Sequence, residues 1–199
     1  MKNRRNVMIL DELRIDISKE QKKGIPFIAA SIILWGMIAV VTTLDLPINT
    51  KNLLVFCCSC PLMPIATLIG KVIKIDLFSK KNPLSKIGFI FTMNQLLYIL
   101  IVMWVYSAVP EKMVMVFAMV FGAHLLPYSW LYISKAYLFF AIAIPIISLM
   151  LGLFFNYTVV ALGVCLMDVL FLIILIIEVR AMIGEYKNIC KSDEICEVD

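Results

Sequence analysis

The chain has 199 residues, of which 62% are apolar and only 16% charged, with a formal net charge of +4. Soluble domains run at roughly 45–50% apolar and about 25% charged residues. The composition excludes a soluble enzyme, a nucleic-acid-binding domain, a disordered regulator and a secreted disulfide scaffold, and leaves a chain whose outer surface is solvated by lipid.

The first 24 residues are hydrophilic. Within them Val7, Leu10, Leu13, Arg14 and Ile17 recur at helical spacing, with Asp11, Glu12, Asp16, Lys19 and Glu20 mostly between them. This predicts a short amphipathic helix on the inner leaflet, ended by Gly24 and Pro26; the alternative is a solvated leader with accidental periodicity. Six uninterrupted apolar stretches follow, at residues 25–44, 53–70, 87–109, 113–133, 137–155 and 158–177, and they exclude every charged residue except Asp168. A helix rising ~1.5 Å per residue needs about 20 residues to cross a ~30 Å hydrocarbon core, so each stretch spans once. Barrel strands, at ~10 alternating residues, do not fit. The expected fold is therefore all-α, a polytopic integral membrane protein with six transmembrane helices, a cytoplasmic segment at 1–24 and a cytoplasmic tail at 178–199. The first stretch begins late and lacks a small-residue cleavage site, so it is expected to stay as a span.

Orientation follows from the basic residues. Sixteen Lys and Arg fall at the ends of the chain and in the second and fourth connections; Lys51 and Lys112 alone fall on the other side. The positive-inside rule then places both termini in the cytoplasm. The net charge reports topology and not a nucleic-acid partner; the expected partners are the bilayer and anionic lipid head groups, which a basic face attracts at about 1 kcal/mol per residue.

Prolines fall inside three stretches: Pro61 and Pro64 in the second, Pro127 in the fourth and Pro145 in the fifth. Each removes a ladder hydrogen bond, so kinks or short unwound segments are expected there. Interrupted helices frame substrate sites in transporters, and in many other membrane proteins only bend helices around neighbours. Cys57, Cys58, Cys60 and Cys165 lie within spans, and Cys190 and Cys196 in the tail, so no disulfide framework is expected. Residues 57 and 60 share a helix face while 58 does not, and small residues at a helix contact explain the cluster better than a metal site; no metal or cofactor is expected. Asn156-Tyr157-Thr158 matches a glycosylation acceptor in a turn too tight to hold a glycan. Ala29, Gly36, Gly122 and Gly163 would permit close helix contacts within the chain or in a homo-oligomer.

The polar residues inside the spans carry the functional signal. Asn94 and Gln95 in the third, His124 in the fourth and Asp168 in the sixth can meet at one depth, about 10 Å from the inner face for Asn94 and about 15 Å from the outer face for the other two helices. An ionised Asp at mid-membrane costs roughly 2.5–3.5 kcal/mol on insertion scales, so Asp168 should face the bundle interior, partnered or protonated. His124, the only histidine, is its natural partner. Asn94 with Tyr98 and His124 with Tyr128 stand four apart, each pair on one helix face. Ser129, Trp130, Tyr132 and Tyr128 itself lie near the inner end of their span, where interfacial anchoring is expected.

The segments Lys22-Lys23-Gly24-Ile25-Pro26-Phe27, Phe56-Cys57-Cys58-Ser59-Cys60-Pro61-Leu62, Phe91-Thr92-Met93-Asn94-Gln95-Leu96-Leu97-Tyr98 and Gly122-Ala123-His124-Leu125-Leu126-Pro127-Tyr128-Ser129-Trp130-Leu131-Tyr132 resemble a family of small bacterial multispanning membrane proteins, a domain of unknown function numbered 7010. The resemblance covers about residues 8–155 and implies a bacterial inner-membrane protein; it supplies no activity, catalytic residue or cofactor. Asp168 lies outside the matched stretches, so its pairing with His124 rests on depth alone. Three classes of function follow: a small-ligand binder or transporter with Asn94, Gln95, Tyr98, His124, Tyr128 and Asp168 at a polar pocket; a structural subunit whose polar residues lock helices together; and a membrane enzyme with His124 as general base. The first is favoured, because the polar groups share a depth on helices with mid-span prolines. No nucleophile motif or second carboxylate cluster supports the enzyme.

Overall fold

The computed structural model describes residues 2–75, 77 and 82–192, with side chains described for residues 10–185 of that set. Lys80, Lys81 and Cys196 lie outside the described residues, as do the side chains of Val7, Lys187, Cys190 and Lys191. The helices are α1 (Lys2–Glu20), α2 (Ile25–Thr43), α3 (Ile48–Ser59), α4 (Leu62–Val72), α5 (Ser85–Ala108), α6 (Met113–Ala123), α7 (Leu126–Leu131), α8 (Lys135–Phe154) and α9 (Tyr157–Ser192), and no strand occurs among the described residues. Across two short breaks α3 continues into α4 and α6 into α7. Six rods result, each long and apolar enough to cross a membrane: Lys22–Thr43, Ile48–Val72, Ser85–Ala108, Pro110–Leu131, Lys135–Phe154 and Tyr157–Glu185. The protein is an all-α polytopic bundle.

Local sequence sets the ends of these helices. Pro26 occupies the first turn of α2, where a missing N–H costs nothing. Ser134 caps α8 by accepting from the Tyr137 amide at 3.3 Å, and Asn156 Oδ1 accepts from the Val159 amide at 3.0 Å to open α9. The glycosylation-like Asn156 is thus a helix cap. Asn82 Oδ1 accepts from the Leu84 amide at 2.9 Å ahead of α5. The last helix runs beyond the expected end near Ile177, because the polar residues after it are adequate helix formers and no proline interrupts them.

The prolines act unequally. The second rod breaks at Cys60 and Pro61, and the fourth at His124 and Leu125, just before Pro127. Pro145 leaves α8 continuous. Its ring sits against Gly122 of α6, where an added Cβ would lie 2.4 Å from Pro145 Cδ. Gly163 similarly receives Leu151, whereas nothing lies within 4 Å of a Cβ on Gly36, so that glycine makes no close helix contact within the chain. Association of apolar helices in lipid depends on such packing rather than on the hydrophobic effect.

The core lies where α2, α6, α8 and α9 meet. Trp35 sits 5.6 Å from both Phe117 and Phe121, and Phe140 stacks on Phe171 at 4.7 Å. Around this core α4 packs on α2, and α5 packs on α6 and α7. The outward face of α5 is apolar and bare, with Leu97, Leu100 and Trp104 exposed. Cys57 and Cys60 also face outward, and only Cys58 packs towards the core. α1 departs from the expected surface helix: Ile17 and Ser18 are buried, and Leu13 packs against the core. Arg14 fastens it, with Nε and Nη2 donating to the Trp130 carbonyl at 2.9 and 2.6 Å and the guanidinium 4.7 Å over the Trp130 ring.

Candidate functional site

A cleft of about 770 Å³ opens between the α1 end of the bundle and its middle. Its walls come from the first turns of α2, the start of α4, the first half of α5, the end of α6 and α7, with Gln21, Asn82, Tyr132 and Tyr137 among the lining residues.

His124 and Tyr128 stand on either side of the break between α6 and α7 and keep the shared face that their spacing predicts, with rings edge to face at 6.1 Å. His124 Nδ1 contacts the Phe121 carbonyl. A carbonyl only accepts, so Nδ1 carries a hydrogen, and in the neutral ring Nε2 then presents a lone pair. Tyr128 and Thr92 share a 2.8 Å hydroxyl contact, and the Gly88 carbonyl lies within reach of both, 3.3 Å from the phenol and 3.1 Å from the threonine. The two hydroxyl hydrogens serve the hydroxyl pair and one bond to the Gly88 carbonyl, from Thr92 or from Tyr128 according to which of them donates to the other.

Of the residues singled out from sequence, Gln95, His124 and Tyr128 line the cleft. Asn94 does not. Adjacent helical residues point about 100° apart, so Gln95 faces the cleft while Asn94 donates to the Tyr98 hydroxyl at 2.9 Å along its own helix. Asp168 is fully buried behind the wall, and the pairing with His124 expected from depth does not form. Depth along a helix leaves rotation about its axis free, and the rotation of α9 turns Asp168 to α2. There Ser31 Oγ lies 2.7 Å from Asp168 Oδ2 and 2.8 Å from the Ile28 carbonyl. Ser31 shares its hydrogen between the two acceptors when the carboxyl is ionised, and donates to Ile28 while accepting from Asp168 when the carboxyl is protonated. Asp168 Oδ1 is buried without a partner among the described residues.

Tyr132 and Tyr128 are not interfacial anchors. Tyr132 is buried, donates to Gln21 Oε1 at 2.8 Å, and packs with Tyr128 and Tyr137 at ring separations of 6.0 and 5.6 Å. Trp130, half exposed, keeps an outward position over Arg14.

The rim rests on a tight turn. Lys22, Lys23 and Gly24 all have positive φ, at 43°, 50° and 72°. Such a run is costly for the two lysines and persists only where neighbours fix it. Tyr137 donates to the Lys23 carbonyl at 2.9 Å, and Lys23 Nζ reaches the Ile133 carbonyl at 3.3 Å and Glu178 at 3.4 Å. A Cβ on Gly24 would lie 2.9 Å from the Tyr137 hydroxyl, so glycine is required there twice over. Sequence reasoning does not single out Ser31, Thr92, Tyr137 or Glu178. Small hydroxyl residues in a helix bond their own i−3 or i−4 carbonyl, as Ser31 and Thr92 do, and so carry no external signal.

Fold and cleft together define a polytopic α-helical membrane protein with a pocket inside its bundle. The chain belongs to a family of unknown function, DUF7010, whose model matches residues 10–178. That span includes Asp168, which the resemblance drawn from the sequence had left outside. No curated protein and no solved structure matches the chain.

Proposed function

We propose that this is a bacterial cytoplasmic-membrane protein, with both termini in the cytoplasm, that binds a small ligand in the cleft between α2, α4, α5 and α6. The observation that carries the reading is a space of about 770 Å³, inside the range of ligand sites, lined by Gln95 and His124, whose amide and Nε2 have no hydrogen-bond partner among the described residues. A bundle that used its polar residues only as interhelical locks would close on them, as it does on Asp168 and Ser31. The breaks at Cys60–Pro61 and His124–Leu125 border the cleft and give the hinge points that transport of the ligand would use. The basic residues clustered at the α1 end support the cytoplasmic assignment of that end.

The test compares wild type with Gln95→Trp, which fills the cleft, during thermal unfolding in phosphatidylcholine nanodiscs with a panel of small neutral and charged organic compounds. Binding to the native state raises apparent stability by RT ln(1 + [L]/Kd), about 2.7 kcal/mol at a hundredfold excess over Kd. Compounds that stabilise wild type and not Gln95→Trp bear out the reading. It fails if no compound separates the two proteins.

A further inference from the structure

The chemistry of the ligand can be read from what the cleft leaves unsatisfied, on the footing that the cleft is a binding site. Charge comes first. Among the described residues Lys86 is the only Lys or Arg in the lining, it is exposed, and no Asp or Glu lines the walls. A charged group carried to the depth of His124 would find no counter-charge, and an uncompensated charge in an apolar site costs several kcal/mol.

Hydrogen-bonding capacity comes second. The phenols are already committed: Tyr132 to Gln21, Tyr137 to the Lys23 carbonyl, Tyr128 to Thr92. Ser31 is committed to Ile28 and Asp168. Four uncharged groups in the lining remain open among the described residues: the Ser85 hydroxyl and the Gln21 amide nitrogen near the α1 end, and, further along the helices, one each on His124 and Gln95. His124 Nε2 is a bare acceptor, because Nδ1 holds the hydrogen against Phe121. The Gln95 amide, which has no partner among the described residues, can donate. Among single-atom groups that stay uncharged near neutral pH, a hydroxyl is the one that both donates to a ring nitrogen and accepts from an amide.

Access comes third. α4 and α5 form facing walls through Leu62, Met63, Phe89 and Ile90, yet α4 packs on α2 and α5 on α6 and α7. Among the described residues, α4 and α5 do not pack extensively on each other. Phe89 and Ile90 are 54% and 60% exposed, which places apolar surface along the opening.

We infer that the cleft takes an uncharged, membrane-borne alcohol, its apolar body between α4 and α5 and its hydroxyl bridging His124 Nε2 and the Gln95 amide. The molecule enters sideways from the bilayer.

His124 is the sole histidine, so ¹⁵N-histidine labelling yields one ring to observe. The protein in phosphatidylcholine nanodiscs is titrated separately with dodecan-1-ol, dodecyl methyl ether, dodecanoate and dodecyltrimethylammonium. The alcohol is expected to move the Nε2 resonance saturably, and the ether, which has no donor, to bind at least tenfold more weakly. Gln95→Leu should weaken the alcohol on the order of tenfold, the worth of one hydrogen bond, and the ether by a similar factor, since its oxygen accepts from the same amide and lacks only the bond to His124. If the ether matches the alcohol, or an ionic probe saturates the signal and the alcohol does not, the alcohol assignment is overturned while the binding reading stands. If none of the four moves the ring, and the compound panel fails to separate wild type from Gln95→Trp, both are overturned.

Discussion

Gly122→Ala probes the helix contact that holds His124 in place. The added Cβ would lie 2.4 Å from Pro145 Cδ and 2.8 Å from Ile144 Cβ. Carbon atoms pack best at about 3.5–4.0 Å, so α6 and α8 must part by roughly 1 Å to accept it. Neither obstacle can swing aside, since one is a ring and the other a β-branched carbon. Overpacking of this kind costs about 1–3 kcal/mol, which for a chain of this length lowers the melting temperature by about 2–12 °C. His124 stands two residues on, so its ring signal should shift as well. Two companion variants sharpen the test. Gly122→Ala with Pro145→Ala should recover part of the loss, because the nearer obstacle is gone and the two positions couple directly. Gly36→Ala meets nothing within 4 Å and should be neutral or stabilising by up to about 1 kcal/mol, as a helical glycine is removed. Thermal unfolding in nanodiscs reads all three. A Gly122→Ala protein that melts with wild type and leaves the ring signal unmoved refutes the close approach of α6 and α8.

Asp168→Asn should be tolerated to within about 1 kcal/mol, because an amide can donate to Ser31 or accept from it, whereas Asp168→Leu leaves Ser31 short of a partner and should cost about 1–3 kcal/mol; equal melting losses for the two variants would refute the hydrogen bond between Ser31 and Asp168. Arg14→Ala removes two hydrogen bonds to the Trp130 carbonyl and the contact over its ring. Charge-assisted bonds are worth about 1.5–3 kcal/mol, so amide exchange across residues 10–20 should speed up at least tenfold, and unchanged protection would show that Ile17 alone docks the helix.

The spans were legible because a membrane imposes a coarse rule on composition: six apolar stretches in the sequence became six rods, and Pro61 and the stretch before Pro127 broke where expected. Rotation was not legible. Asn94 and Gln95 occupy the same depth, and only the packing of α5 on α6 and α7 decides that Gln95 faces inward. The same blindness joined His124 to Asp168, which share a depth on helices turned in different directions. Spacing of four, by contrast, fixes rotation within one helix, and both i, i+4 pairs kept a common face: Asn94 with Tyr98 through a hydrogen bond, His124 with Tyr128 through their rings. α1 was read as amphipathic, but its docking depends on Trp130, 116 residues away from Arg14, and no local pattern encodes that contact.

The two basic residues that break the charge asymmetry also have a physical account. Lys51 Nζ reaches the Thr42 carbonyl at 3.5 Å and the Tyr157 hydroxyl at 3.2 Å, and Lys112 Nζ reaches the Gly152 carbonyl at 2.6 Å. Thr42 and Gly152 lie in the last turns of α2 and α8, where carbonyls lack helical partners and the helix dipole is negative. Both lysines therefore sit where a cation is favoured by local structure, at the end of the bundle opposite α1. Helices that run away from the basic face expose their carbonyl ends on the other side, where Lys51 and Lys112 supply donors. Counting charge alone treats Lys51 and Lys112 as noise in a topological signal; their bonding makes them a consequence of that topology, since only helices ending on that side present the carbonyls they cap.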